Sequence, residues 1–169
     1  MKNLLFVILI LLQLSCMDTL SAMHDDLTMK VPVCVHFTKG NDANDGRGWK
    51  NAKQTIDAAI AAAQPGDEIW IANPENATIS SNINITKTVS LYGGFDGTES
   101  RRDERNLSRK TKIISSSPQI EIQSSDIIMD GFYITGSREK PAINILPYTS
   151  ALIKNCEFNS NTNTNPGNN

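Results

Sequence analysis

The sequence predicts an all-β solenoid, in which short strands wind into coils that stack on one another. Asp130-Gly131-Phe132-Tyr133-Ile134-Thr135-Gly136 lies over Lys154-Asn155-Cys156-Glu157-Phe158-Asn159-Ser160 at an offset of 24 residues, which also sets Ile127 and Met129 over Ala151 and Ile153. Ile120 and Ile122 fall over Ile143 and Ile145 at an offset of 23. Leu91 to Met129 is a step of 38, which fits one coil of about 24 residues carrying an insertion of about 14. Self-similarity at roughly 20–30 residues, made of short alternating strands, is the mark of a solenoid.

The N-terminus reads as an address. Lys2 supplies a positive start and Leu4 to Leu12 an apolar run, too short for a bilayer span of roughly 20 residues but suited to a secretory signal. Two exits compete. Ser15-Cys16 resembles the end of a bacterial lipoprotein signal with Cys16 lipidated, although Gln13 stands where that motif prefers leucine. Leu20-Ser21-Ala22 offers ordinary cleavage after Ala22. The domain plan is a signal at 1–22 (or 1–15 before Cys16) and a polar linker at 23–30. A β domain follows at 31–161, and then a polar tail at 162–169 that suggests a truncated chain. His24-Asp25-Asp26 reads as solvated linker.

Val31 to Thr38 reads as a strand, and Gly40-Asn41-Asp42-Ala43-Asn44-Asp45-Gly46 as a loop. Asn51 with Gln54 three residues later marks a helix start, and Ile56, Ala59, Ile60 and Ala63 form one apolar face. A helix over about 51–63, stopped by Pro65-Gly66, suits the raw end of a stack, with Trp49 sealing a side. After Gly66 the period becomes two: Ile69/Ile71, Ile83/Ile85 and Val89/Leu91, then Ile113-Ile114, Ile120/Ile122, Ile127/Met129, Phe132/Ile134, Ile143/Ile145, Ala151/Ile153 and Cys156/Phe158. Asn155, Asn159 and Asn161 are candidates for stacked amide ladders at the corners.

The interruption from Thr98 to Lys112 holds six basic residues (Arg101, Arg102, Arg105, Arg109, Lys110, Lys112) and three acids (Glu99, Asp103, Glu104). It reads as a looped-out, solvated segment, with Arg101, Arg102 and Arg105 as candidate contacts for an anionic glycan. Asp126, Asp130 and Lys154 point outward when Met129 and Ile153 point in, so Asp130 over Lys154 reads as a surface ion pair. Asp42, Asn44 and Asp45 are weak calcium candidates, one residue short of the usual loop and with Lys53 at its twelfth position. No other cofactor is expected. Cys34 and Cys156 read as buried thiols, and His36 shares a strand face with Cys34. The net charge of −2 gives no reason to expect nucleic acid, and the 6% aromatic content favours a thin stacked core.

The loop through Trp49, the helix residues, Pro65-Gly66-Asp67-Glu68-Ile69-Trp70-Ile71 and Leu91-Tyr92-Gly93-Gly94-Phe95-Asp96-Gly97-Thr98-Glu99 resemble the N-terminal part of pectin-lyase-like parallel β-helix proteins. The likeness is closest to exported, often lipid-anchored members from Bacteroidota-type bacteria. Phe158-Asn159-Ser160-Asn161 is similar to the Phe-x-x-Asn repeat of polymorphic outer membrane proteins, with Pro141-Ala142-Ile143 in place of Gly-Gly-Ala-Ile. The resemblance implies a right-handed parallel β-helix with an N-terminal capping helix. It also implies a family of lyases, hydrolases and epimerases of acidic polysaccharides, with many non-catalytic surface proteins. The expectation is an exported, non-catalytic envelope or cell-surface protein serving as scaffold, adhesin or glycan-binding platform. Its partners would be a polysaccharide or host-surface glycan, and the outer membrane through lipid on Cys16. Two alternatives stand beside it: the front of a polysaccharide lyase or hydrolase whose catalytic residues lie further on, and a structural solenoid joined to other domains.

Overall fold

The structure is a computed structural model that describes residues 30–75, 82–114, 120–135 and 141–159. The signal region with Cys16, all but the last residue of the linker, Asn161 and the 162–169 tail lie outside the described residues. From Val31 onward the chain forms one compact unit. Its strands are β1 (Val33–His36), β2 (Glu68–Ala72), β3 (Ile83–Ile85), β4 (Ser90–Phe95), β5 (Thr111–Ile114) and β6 (Ile120–Ile122). They continue as β7 (Ile127–Asp130), β8 (Phe132–Thr135), β9 (Ile143–Ile145), β10 (Ala151–Lys154) and β11 (Glu157–Asn159). The single α-helix among the described residues, α1, spans Ile56–Ala62.

Every pairing between these strands is parallel. One sheet has the order β1-β2-β4-β7-β10, a second β3-β6-β9 and a third β11-β8-β5. From β3 onward the chain visits the second, first and third sheets in fixed rotation, three times over. The predicted registers hold: Lys154 pairs with Asp130, Ile143 with Ile120, and Met129 with Leu91. Strands of three to six residues carry too little surface to stand alone, so each is stabilised by the copy beside it.

The core lies between the three sheets. Val33, Ile69, Leu91, Met129 and Ile153 form one aligned row, while Ile83, Ile120 and Ile143 form another. Burial depends on cover from both sides, by a strand or, at the first strands, by α1. Ile85 and Ile122 are fully buried, whereas Ile145, next in the same row, is 45% exposed and Phe158 48%. Full burial of such a side chain stabilises by about 1.5–3 kcal/mol. The amide ladders do not form as expected. Asn155 follows Lys154 where Gly131 follows Asp130, both with left-handed backbone (φ 50° and 89°), and Asn159 pairs with Thr135. Asn tolerates a left-handed corner better than most residues, and here its side chain bonds Asp130 of the paired strand. Gly93 packs against the same turn, where an added Cβ would lie 2.5 Å from the Gly131 carbonyl oxygen.

The helix begins later than the sequence implies. Residues 49–51 form a short 3₁₀ turn, and Lys53 is drawn into bridging Val35: its N–H donates to the Cys34 carbonyl, and its own carbonyl accepts from His36 N–H. This pairing covers the edge of β1 and holds the chain extended to Thr55. The Thr55 hydroxyl then caps α1 by accepting the Ala58 N–H at 3.2 Å. Ile56, Ala59 and Ile60 are buried against the first strands, and Lys87 Nζ donates to the Ala61 and Ala63 carbonyls at the helix end. Replacing Ile60 by Asp places an unpaired charge in this contact and should lower unfolding stability by several kcal/mol in a denaturant titration; an unchanged midpoint would contradict the packing.

Candidate functional site: a basic insert clamped to the outer face

The outward side of the first sheet is not a solvated face. Cys34, Trp70, Tyr92, Asp130 and Lys154 follow one another in register, and Cys34, Trp70, Tyr92, Ala52, Ala72 and Phe95 form a second buried cluster. Trp70 stacks on Phe95 with ring centres 4.8 Å apart, and Trp49 packs on both rings at 6.4 and 5.6 Å. Trp49 therefore seals this outer cluster rather than a side of the core beneath α1. Its indole N–H donates to the Glu99 carbonyl at 2.8 Å, which ties the insertion to the sheet.

Most of the insertion is exposed, as expected of a looped-out segment, but it is pinned to the sheet at a few points. Its entry turn is held by the Glu99 carboxylate, which accepts the backbone N–H groups of Asp96, Gly97 and Thr98 at 2.7–3.0 Å. Glu104 does the same for Ser100 and Arg101. Arg102 lies over the Tyr92 ring at 4.7 Å, donates to its hydroxyl at 3.1 Å and pairs with Glu68, whose second oxygen accepts the Trp70 indole N–H at 2.8 Å.

Arg105 reaches furthest in. Its side chain is only 10% exposed and lies on the other arm of the Tyr92 contact, 5.2 Å from the ring centre. It pairs with Asp130 at 2.7 Å and donates to the Asp130 and Gly93 carbonyls. Asn155 Nδ2 donates to the other Asp130 oxygen at 2.7 Å, and Lys154 Nζ stands 3.6 Å away. Asp130 does sit above Lys154, but it is 1% exposed, so the expected surface pair is the outer part of a buried network. Burial alone would raise the Asp130 carboxyl. The Arg105 and Asn155 hydrogen bonds, with the charges of Arg105 and Lys154, outweigh it and hold the group below its ordinary value.

The other predicted residues divide as follows. Arg101 is 70% exposed and pairs with Asp103, Arg102 is half-exposed, and Arg105 is buried, so the three arginines do not form one surface. Asp42 accepts from the backbone of Gln54 and Thr55 and from the Thr55 hydroxyl. Burial tends to raise its carboxyl, and these bonds pull it below the usual range. Asn44 donates to the Ala52 carbonyl and Asp45 accepts the Arg47 N–H. The calcium candidates are thus engaged in holding the turn and the helix entry. Among the described residues no three His, Cys, Asp or Glu side chains gather as a metal set would require. Cys34 and Cys156 are free thiols; burial pushes Cys34 up to about 12 and raises Cys156. His36 is buried on the face of Cys34, and desolvation lowers its pKa.

No family model, curated protein or solved structure matches this chain.

The parts played by Tyr92 and Trp70 escape the sequence reading, as does the Asn155 bond to Asp130 in place of a ladder, though one signal was present. Ile69-Trp70-Ile71-Ala72 and Leu91-Tyr92 are apolar at consecutive positions, the pattern of strands buried on both faces. Arg105→Met should cost about 3–5 kcal/mol by leaving Asp130 buried without its partner, while Arg101→Gln should change stability by less than about 0.5 kcal/mol. Equal effects in chemical denaturation would refute the clamp. Because the folded Asp130 pKa lies below its unfolded value, its contribution is complete above about pH 4 and fades as pH falls through the folded pKa. The wild type should lose its stability margin over Asp130→Asn across that acid window; a margin constant down to pH 2 would be the contrary result.

Proposed function

We propose that the chain forms a right-handed parallel β-helix in an exported, non-catalytic envelope or cell-surface protein, where it serves as scaffold, adhesin or glycan-binding platform. Support for the β-helix comes from the fixed rotation among three parallel sheets and from the α1 cover over the first strands. Export rests on the Lys2 and Leu4 to Leu12 segment, with Cys16 lipidation or cleavage after Ala22 as the two routes.

The non-catalytic reading is carried by the use to which Asp130 is put. A proton-transfer site on a sugar acid needs an acid or base whose lone pairs or protons are open to the substrate. Asp130, Arg105 and Lys154 are the most suggestive acid–base group on the outer face, yet Asp130 accepts on both oxygens from the protein and the Arg105 side chain is turned in from the insert against Asp130 and Tyr92. Their geometry serves attachment. Incubating the purified chain with polygalacturonate should therefore give no rise in the ultraviolet absorbance of unsaturated product; a steady rise, abolished in Arg105→Met or Lys154→Met, would overturn the reading.

A further inference from the structure

The far end of the insertion has a different fate from Arg102 and Arg105. Ser108, Arg109 and Lys110 run beside the outward face of the third sheet, where Lys112, Tyr133 and Glu157 stand in register on β5, β8 and β11. Together these six residues line a hollow of about 270 Å³. Lys112 Nζ lies 5.7 Å from the centre of the Tyr133 ring, and among the described residues it has no carboxylate partner. Asn159 Nδ2 donates to the Tyr133 hydroxyl at 2.9 Å, which fixes the phenol and leaves its own proton to donate outward. Lys110 is held only at 3.5 Å by the exposed Glu157, and Arg109 pairs with Asp96 at the rim. With Asp96 counted, three cations meet two carboxylates in a chain whose net charge is −2, so a net positive charge, centred on Lys112, is left here against the average.

We propose that this hollow binds a sulfated saccharide, a deepening of the platform reading on which it rests. The hollow lies at the small end of ligand sites and has room for about one sugar ring. Arg109 is engaged by Asp96 at 2.9 Å and Lys110 only loosely by Glu157, so Lys112 and Lys110 are the cations open to an anion. A sulfate ester carries a full charge at any working pH and offers three oxygens, which suits two ammonium groups set together better than the two oxygens of a uronate do. The two lysines form charge-assisted hydrogen bonds to sulfate oxygens, and the Ser108 and Tyr133 hydroxyls reach ring hydroxyls. The contact leaves Arg101, Arg102 and Arg105 to their own carboxylates.

The test is calorimetric titration of the full chain at low ionic strength with dextran sulfate, polygalacturonate and uncharged dextran. Dextran sulfate should bind, more tightly than polygalacturonate, and dextran should not. The Lys110→Gln/Lys112→Gln double variant, whose unchanged thermal midpoint verifies folding, should lose at least about tenfold in affinity, while Arg101→Gln keeps that of the wild type. The proposal fails if the wild type binds no sulfated polymer, if polygalacturonate or dextran binds as tightly, or if the double variant is unaffected. A failure here leaves the non-catalytic reading standing, since that is decided by the polygalacturonate absorbance assay.

Discussion

Everything in this molecule depends on parallel strands lying in register within each of its three sheets. A parallel ladder keeps each residue beside its counterpart, so a side chain that faces inward in one strand obliges its neighbours to do the same. The consequence is visible in the rows Val33-Ile69-Leu91-Met129-Ile153 and Ile85-Ile122-Ile145, where aliphatic groups meet aliphatic groups. Stability becomes a nearest-neighbour property. Interior members of a row are fully buried because each has cover on two sides, and β9, β10 and β11, at the outer position of each sheet, keep more of their surface exposed.

The same register organises the outer face. Placing Trp70, Tyr92 and Asp130 in one file gives the first sheet an outward surface that is partly aromatic and ends in a carboxylate. Such a surface is costly to leave in water, and the insertion between β4 and β5 covers it. Tyr92 is the pivot, since Arg102 and Arg105 both lie against its ring and reach past it in opposite directions, to Glu68 and to Asp130. Arg suits this role because its planar group stacks on a ring while its N–H fork still serves a carboxylate. The net stabilisation from a buried pair is small, but breaking it is expensive, so its effect is to fix where the insert lies.

The architecture was legible because its signal is periodic. The offsets of 24 and 23 and the step of 38 needed no knowledge of distant contacts, and each reappears as a strand pairing. The helix start was misread because Asn51 and Gln54 satisfy a local rule, while the competing bond from Lys53 to β1 is non-local. The fate of the insert was hidden for a related reason. A run rich in Arg, Asp and Glu has the same composition whether it is solvated or folded back on a buried acid, and its order comes from Tyr92 and Asp130, which belong to other coils. Asp130 itself follows the outward parity that alternation gives. What alternation does not contain is whether something covers that side. The aromatic content at Trp70 and Tyr92 was the available hint.

The insertion also sorts its charges by depth. Near its start, each arginine meets a carboxylate at close range: Asp103 for Arg101, Glu68 for Arg102 and Asp130 for Arg105. Near its end, Arg109 and Lys110 keep looser or rim-exposed partners, and Lys112 faces a tyrosine ring instead. This asymmetry follows from what the two sheets present. The first sheet's outward file supplies Glu68 and Asp130, and Glu157 is the carboxylate in the third sheet's file of Lys112, Tyr133 and Glu157. Only the Arg105 pair is shielded by burial and responds weakly to salt, whereas the exposed pairs of Arg101, Arg102, Arg109 and Lys110 and the charge of Lys112 are screened by salt over about 10 Å. One segment thereby combines an anchor with an exposed basic surface. Because the anchor draws its partners from the core-bearing first sheet, the basic surface is held at a fixed place on the third without consuming its charge.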